Sequence, residues 1–305
     1  MCGIFGIINY GPNTYLKSQA FRDVTKALLK ESQMRGRDAS GLCVVKENAI
    51  RVFKDDKPAD RLITTLGYSD ALKFMKISEP FRSMIGHTRA ETKGSHTFNV
   101  NNHPIIACTV IGVHNGMIWN DDTLFERYKD KVKRAGRVDS EIIFRLIDMH
   151  LSEGKSIVEA TKATGEEIRG SFACAFVTSL NPRYVTLFRN AGSPTVLYHI
   201  PTAQTYVFAS TEYILNNALS KQVGGVNSEF VEEKMTLPDS SGVRIDTFSG
   251  KMFAFDFKYS TLMQSVGAAA ATEEQCPYDG RRDHCGSESC DECVYMKDLG
   301  TYGGF

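Results

Sequence analysis

Cys2 stands directly after Met1 and heads the apolar run Cys2-Gly3-Ile4-Phe5-Gly6-Ile7-Ile8. If Met1 is removed, one residue holds a nucleophile and a base together: a thiol, and an α-amino group titrating near ~7.7–8.0, close to working pH. Threonine paired with its own N-terminal amine is a known case of this arrangement. The competing reading is a small buried hydrophobe on a strand, because cysteine is among the most buried residue types. A thiolate attacking a carbonyl also needs donors for the oxyanion that forms. Val113-His114-Asn115-Gly116 ends an apolar run in a turn, where Asn115 offers a side-chain amide and Gly116 a backbone N–H unshielded by a Cβ. On its own, an Asn-Gly pair is equally a plain turn. Gly86-His87-Thr88-Arg89 brings an arginine to a loop, suited to forking onto a carboxylate. Asp139, just before a helical pattern, can pair with a substrate ammonium, or can cap that helix with Ser140 and Glu141 in its first turn.

The elements that must position these residues follow from periodicity. CGIFGII reads as a strand, and Phe21, Val24, Leu28 and Leu29 recur at helical spacing until Gly36. The strand GLCVVK follows, then a helix from near Ser69 that stops before Pro80, then the strand SMIGHTRAE. IIACTVIGVHNG reads as one strand ending in a turn. Asp121 or Asp122 can cap a helix carrying Leu124, Phe125, Tyr128 and Val132 and closed by Gly136. Ile142, Ile143, Leu146, Ile147 and Leu151 mark another helix, and IVEATKATGEEI a further one. From Gly170 strands dominate: SFACAFVTS, YVTLFRN, TVLYHI, TYVFAS and, after a short helix at TEYILNNAL, KMFAFDF. Their close spacing favours antiparallel pairing, and helices grouped between two sets of strands imply sheets packed on each other with helices outside, a layered α/β arrangement.

Composition removes several function classes. The 305 residues are 42% hydrophobic, enough for a substantial core, and 36 Lys plus Arg balance 36 Asp plus Glu. No global field draws the chain to nucleic acid or to an anionic membrane. Neither a secretory leader nor an apolar run near the roughly 18 residues of a membrane helix is present, so a cytoplasmic address is expected. Cys43, Cys108 and Cys174 sit in apolar strand-like runs and read as reduced core residues.

Taken in order, CGIFG, RGRDASG, GHTRAETKG, NNHP, VHNGMIWN, VDSE, RNAGSP and FAST resemble the glutaminase domain of class II glutamine amidotransferases, which are N-terminal nucleophile hydrolases. The likeness covers residues 2 to about 255 and is nearest the glutaminase half of glutamine-fructose-6-phosphate amidotransferase. It implies a four-layer αββα sandwich of two antiparallel sheets over 2–258. Cys2 matches the nucleophile and its amine the base, and Arg35 an arginine supporting that end of the chain. Arg89 matches the α-carboxylate ligand, Thr92 and Gly94 the loop that closes over glutamine, Asn115 and Gly116 the oxyanion hole, and Asp139 the α-amino ligand. His103 matches a histidine of the NAHP-like segment. The implied reaction hydrolyses the side-chain amide of L-glutamine through a γ-glutamyl thioester, releases ammonia and needs no cofactor. Two other readings stand beside it: an N-terminal nucleophile amidohydrolase acting on another amide, and a catalytically silent glutaminase-like binding scaffold.

Two departures matter. Ala90 and Glu91 stand where the nearest relative has Trp-Ala, so the loop over glutamine is expected to close differently. Such domains normally continue into a synthase or synthetase, and about 50 residues are too few for one; a separate ammonia-accepting partner is therefore expected. The stretch 259–275, with SVGAAAATEEQ, reads as a linker or an alanine-rich helix, and 276–305 as a Cys-rich tail. There Cys276, Cys285, Cys290 and Cys293, with His284 beside the second, offer a thiolate set suited to tetrahedral zinc. A reduced tail without order, and disulfide or iron–sulfur chemistry, are the alternatives.

Overall fold

A computed structural model describes residues 1–75, 80–220 and 227–259. The expected linker from residue 260 on and the four-cysteine zinc set lie outside the described residues. The first half contains β1 (Gly3–Asn9), α1 (Tyr15–Ser32), β2 (Ala39–Lys46), β3 (Ile50–Asp55), α2 (Ala59–Leu62), α3 (Leu66–Phe74) and β4 (Phe81–Arg89). Then come β5 (Ile105–Ala107), β6 (Val110–Ile118), α4 (Asp121–Arg127), α5 (Glu141–Ser152) and α6 (Ile157–Glu167). The last third holds β7 (Gly170–Thr178), β8 (Tyr184–Asn190), β9 (Val196–Ile200), β10 (Thr205–Ala209), α7 (Glu212–Ala218), β11 (Glu233–Thr236), β12 (Ser241–Asp246) and β13 (Met252–Asp256).

The strands form two antiparallel sheets, one ordered β11-β9-β10-β1-β4-β2-β3 and the other β13-β12-β8-β7-β6-β5. Period-two alternation explains how each central strand serves two cores. On β1, Ile4 and Ile8 face the second sheet and meet Ile111, Val113, Ala173 and Ala175, whereas Phe5 and Ile7 face Phe21, Val24 and Leu28 of α1. On the far side Phe172 and Phe176 of β7 pack under Ile142, Ile143 and Leu146 of α5. Helices thus cover both outer faces, and the αββα sandwich expected from the sequence is the observed architecture.

Several boundaries differ from the sequence reading. The run IIACTVIGVHNG is a hairpin, β5 and β6, turned at Cys108, whose φ is +50°; the turn expected at Asn115-Gly116 is absent, because β6 stays paired with β7 through both residues to Ile118. Cys108 is therefore half-exposed at a turn and accepts from Arg145 Nη1 at 3.0 Å, unlike Cys43 and Cys174, which are buried as expected. Helix α1 starts at Tyr15 because the Thr14 hydroxyl accepts the Lys17 N–H at 3.2 Å. Helix α4 ends at Arg127, short of Val132. Strands β3, β11 and β12 were not expected; β12 pairs on both sides despite Gly242 and Arg244 in its middle.

Candidate active site

Strand register brings the chain start to the site. Gly3 pairs with Thr88, so Cys2 lies beside the end of β4, where the Ala90 N–H reaches Cys2 Sγ at 3.3 Å and the thiol reaches the Ala90 carbonyl at 3.4 Å. Arg35 Nε donates to the Cys2 carbonyl oxygen at 2.8 Å. Burial pushes the thiol above its ordinary range; the Ala90 N–H, the chain's terminal ammonium and Arg89 pull it back, and Asp139 pushes it up again. Near neutral pH the sulfur is a protonated thiol that needs a base before it can attack.

Arg89 is 2% exposed, the bulkiest of the fully buried side chains among the described residues. Its Nη1 donates to Asn102 Oδ1 at 2.7 Å, and Nη2 to the carbonyls of Lys93, at 3.0 Å, and Gly94. Three of its N–H groups brace the structure, which leaves two of the five a guanidinium carries for a ligand. The loop it braces is held on its outer side by Lys93 Nζ, at 2.6 Å from Asp121 Oδ2 and 2.8 Å from Asp122 Oδ2. In that loop Thr92 is exposed and Gly94 has a φ of +75°. At the departure from the family pattern, the Glu91 N–H donates to Asp38 at 2.6 Å, and the Glu91 carboxylate takes both the backbone N–H and the ring of His96.

Asp139 does not cap α5. The N-cap is Ser140, which makes no capping bond and instead places its hydroxyl 2.7 Å from His114 Nδ1. Asp139 is 2% exposed, and its Oδ2 accepts the Ile118 N–H at 2.7 Å, which aims the carboxylate at the end of β6. Glu141 shapes the loop that presents it, accepting the Ala135 and Gly136 N–H groups at 2.8 and 2.7 Å.

On β6, Asn115 is fully buried, and neither its Nδ2 nor its Oδ1 has a hydrogen-bond partner. Gly116, next to it, has a φ of +141°, and a Cβ there would stand 1.9 Å from the Ser171 carbonyl oxygen. Only glycine fits this backbone. Behind these residues His87 Nε2 lies 3.0 Å from the His114 carbonyl, and His87 stacks on His103 with centroids 4.0 Å apart. Burial holds His87 down to about 3, and His103 well below the ordinary histidine range. Both are neutral, and both His103 ring nitrogens lack partners.

Cys2, Arg35 and Arg89 are therefore joined around the end of β4, while Asn115 lies within β6 and the Asp139 carboxylate, from the loop before α5, meets the end of that strand. His103 stands a layer back, and Thr92 is at the surface. Asn102, Lys93 and Asp38 were not singled out by sequence reasoning, since their roles arise from contacts that no local pattern records. Among the described residues no cluster of three or more His, Cys, Asp or Glu could hold a metal ion, and no helix is long and apolar enough to cross a membrane.

A family model described as a glutamine amidotransferase domain matches residues 87–217. The chain is 29% identical over 196 residues to a glutamine–fructose-6-phosphate aminotransferase of Campylobacter jejuni, covering 63% of this chain and 29% of that protein. Over 204 residues it is 32% identical to the enzyme of the same name from Chlamydia pneumoniae, covering 65% and 30%. It thus spans less than a third of the length of these relatives. The glutamine phosphoribosylpyrophosphate amidotransferase of B. subtilis superposes with a TM-score of 0.63 at 16% identity, covering 84% of this chain and 49% of that one. A structure titled as the allosteric regulatory enzyme of purine biosynthesis gives 0.64 at the same identity and coverage. At such identity these two likenesses speak for the fold alone.

Proposed function

The chain carries a glutamine amidotransferase domain of class II, the N-terminal nucleophile kind, and from that premise we propose that it hydrolyses the side-chain amide of L-glutamine at Cys2. The observation that carries this reading is the Asn115 amide. Leaving a buried polar group unpaired costs about 1–3 kcal/mol, so such a group is retained where a ligand completes it. Here the ligand is the oxyanion of a tetrahedral intermediate.

In this reading Met1 is removed and the Cys2 α-amine accepts the thiol proton as sulfur attacks the glutamine Cδ. Asn115 Nδ2 and the Gly116 N–H donate to the resulting oxyanion. Collapse of the intermediate breaks the C–N bond, the amine returns its proton to the leaving nitrogen, and ammonia departs from a γ-glutamyl thioester. Water then attacks the thioester, with the same amine as base, and glutamate leaves with the thiol restored. Arg89 binds the α-carboxylate and Asp139 the α-ammonium, a pairing that demands a free amino acid and disfavours other amides. Arg35 fixes the Cys2 carbonyl, and Thr92 and Gly94 belong to the loop over the substrate. The ammonia passes to an ammonia-accepting synthase activity.

Mass spectrometry of the mature chain tests the mechanism. The expected product lacks Met1 and gains one covalent adduct on Cys2 from a glutamine-like diazoketone. Glutamine turnover by a chain that keeps Met1 would refute it.

A further inference from the structure

Lys54, on β3, belongs to no step described above. Its ammonium donates to the carbonyl oxygens of Asn102, at 2.8 Å, and Pro104, at 3.1 Å. These carbonyls bracket His103. Asn102 is fully buried, with Oδ1 on Arg89 Nη1 and Nδ2 donating to the His96 carbonyl at 2.7 Å. The ammonium is thus two links from the guanidinium: it fixes the backbone of the residue whose amide holds Arg89 on one side and the substrate loop on the other.

Lys54 is half-buried, and an ammonium set against neutral carbonyls is a costly way to hold a segment together. Burial draws it down to about 8; Glu141 on α5 raises it, and Arg89 on β4 lowers it. An apolar side chain could satisfy the packing but not the two carbonyls, so removing the donor sets the 102–104 segment free to shift against Arg89.

We propose that Lys54 is a positioning residue for glutamine, holding the Asn102–Pro104 backbone so that Asn102 presents Arg89 to the substrate α-carboxylate. The inference rests on the reading of Arg89 as the carboxylate ligand. It places a specificity determinant on an edge strand, outside the motifs that resemble the family.

Steady-state kinetics of Lys54→Met, with glutamine and with glutamine whose α-carboxylate is amidated, tests it. KM for glutamine is expected to rise about tenfold while kcat stays within about threefold, because the loss falls on binding shared by ground and transition states. The amidated substrate, which has no carboxylate for Arg89, is expected to be turned over equally poorly by both proteins. Lys54→Gln, with one donor group in place of the ammonium, is expected to give an intermediate KM; it also serves where the methionine variant does not fold. An unchanged glutamine KM in a folded variant overturns the inference, as does an equal penalty on the amidated substrate. A parent chain that takes no diazoketone adduct on Cys2 overturns the proposed function instead, so the two failures are distinct.

Discussion

Arg35 Nε and the Cys2 carbonyl oxygen are 2.8 Å apart, a bond that ties a charged side chain to the first peptide after the nucleophile. Chain ends ordinarily fray, and a terminal nucleophile must instead be held to within a fraction of an ångström. Arg35→Ala is therefore expected to lower kcat about 10- to 100-fold with little change in KM, since a misplaced nucleophile loses rate rather than binding. Steady-state kinetics with glutamine checks this, and the rate of Cys2 labelling by the diazoketone should fall in parallel.

Asn115 predicts a trade between activity and stability. Removing one oxyanion donor costs about 10²–10³ in kcat in acyl-transfer enzymes. The same change, Asn115→Ala, deletes two buried polar atoms that have no partner in the folded protein. The melting temperature is therefore expected to stay level or rise while kcat collapses. Thermal unfolding and glutaminase assays on the same preparation give the two readings.

The order of motifs made the family and its sandwich legible, although the motifs fall on different kinds of element: CGIFG opens β1, Asn115-Gly116 lies inside β6 and VDSE leads into α5. Local periodicity also found β1, β2, β4 and β7, whose apolar runs are buried on both faces. What it missed was set by contacts distant in sequence. Nothing near Asp139 tells a helix cap from a side chain turned elsewhere; the bond from the Ile118 N–H, 21 residues away, shows that it does not cap α5. Cys108 lies in a run interrupted only by Thr109, and its left-handed φ reveals the turn. The unpaired state of the Asn115 amide has no sequence signal, since it is a property of what the fold withholds.

Gly116 predicts a backbone failure rather than a chemical one. A methyl group there would meet the Ser171 carbonyl on the paired strand β7, at a φ that L side chains rarely adopt. Gly116→Ala is expected to destabilise the chain by about 2–4 kcal/mol through steric strain in the β6–β7 ladder. Urea denaturation followed by circular dichroism measures it, and the lost stability should exceed any loss in Asn115→Ala.

The buried histidines predict the acid limit of stability. Burial lowers the folded-state values of His87, to about 3, and of His103 and His114, whereas an unfolded histidine titrates near ~6.5. Between those values the unfolded chain binds protons that the folded chain refuses, so the contribution is complete above the unfolded value and is lost as pH falls. Each such histidine steepens the decline by about 1.4 kcal/mol per pH unit until its folded value is reached. Unfolding free energy is expected to drop from near pH 6.5 downward, in a window fixed by histidine and not by carboxylates. His103→Phe keeps a ring against His87, and because neither His103 nitrogen has a partner it forfeits no hydrogen bond. Urea midpoints measured from pH 7 to pH 4.5 should therefore show a decline shallower by one histidine in that variant. A decline as steep as that of the parent would mean that His103 takes up its proton in the folded chain.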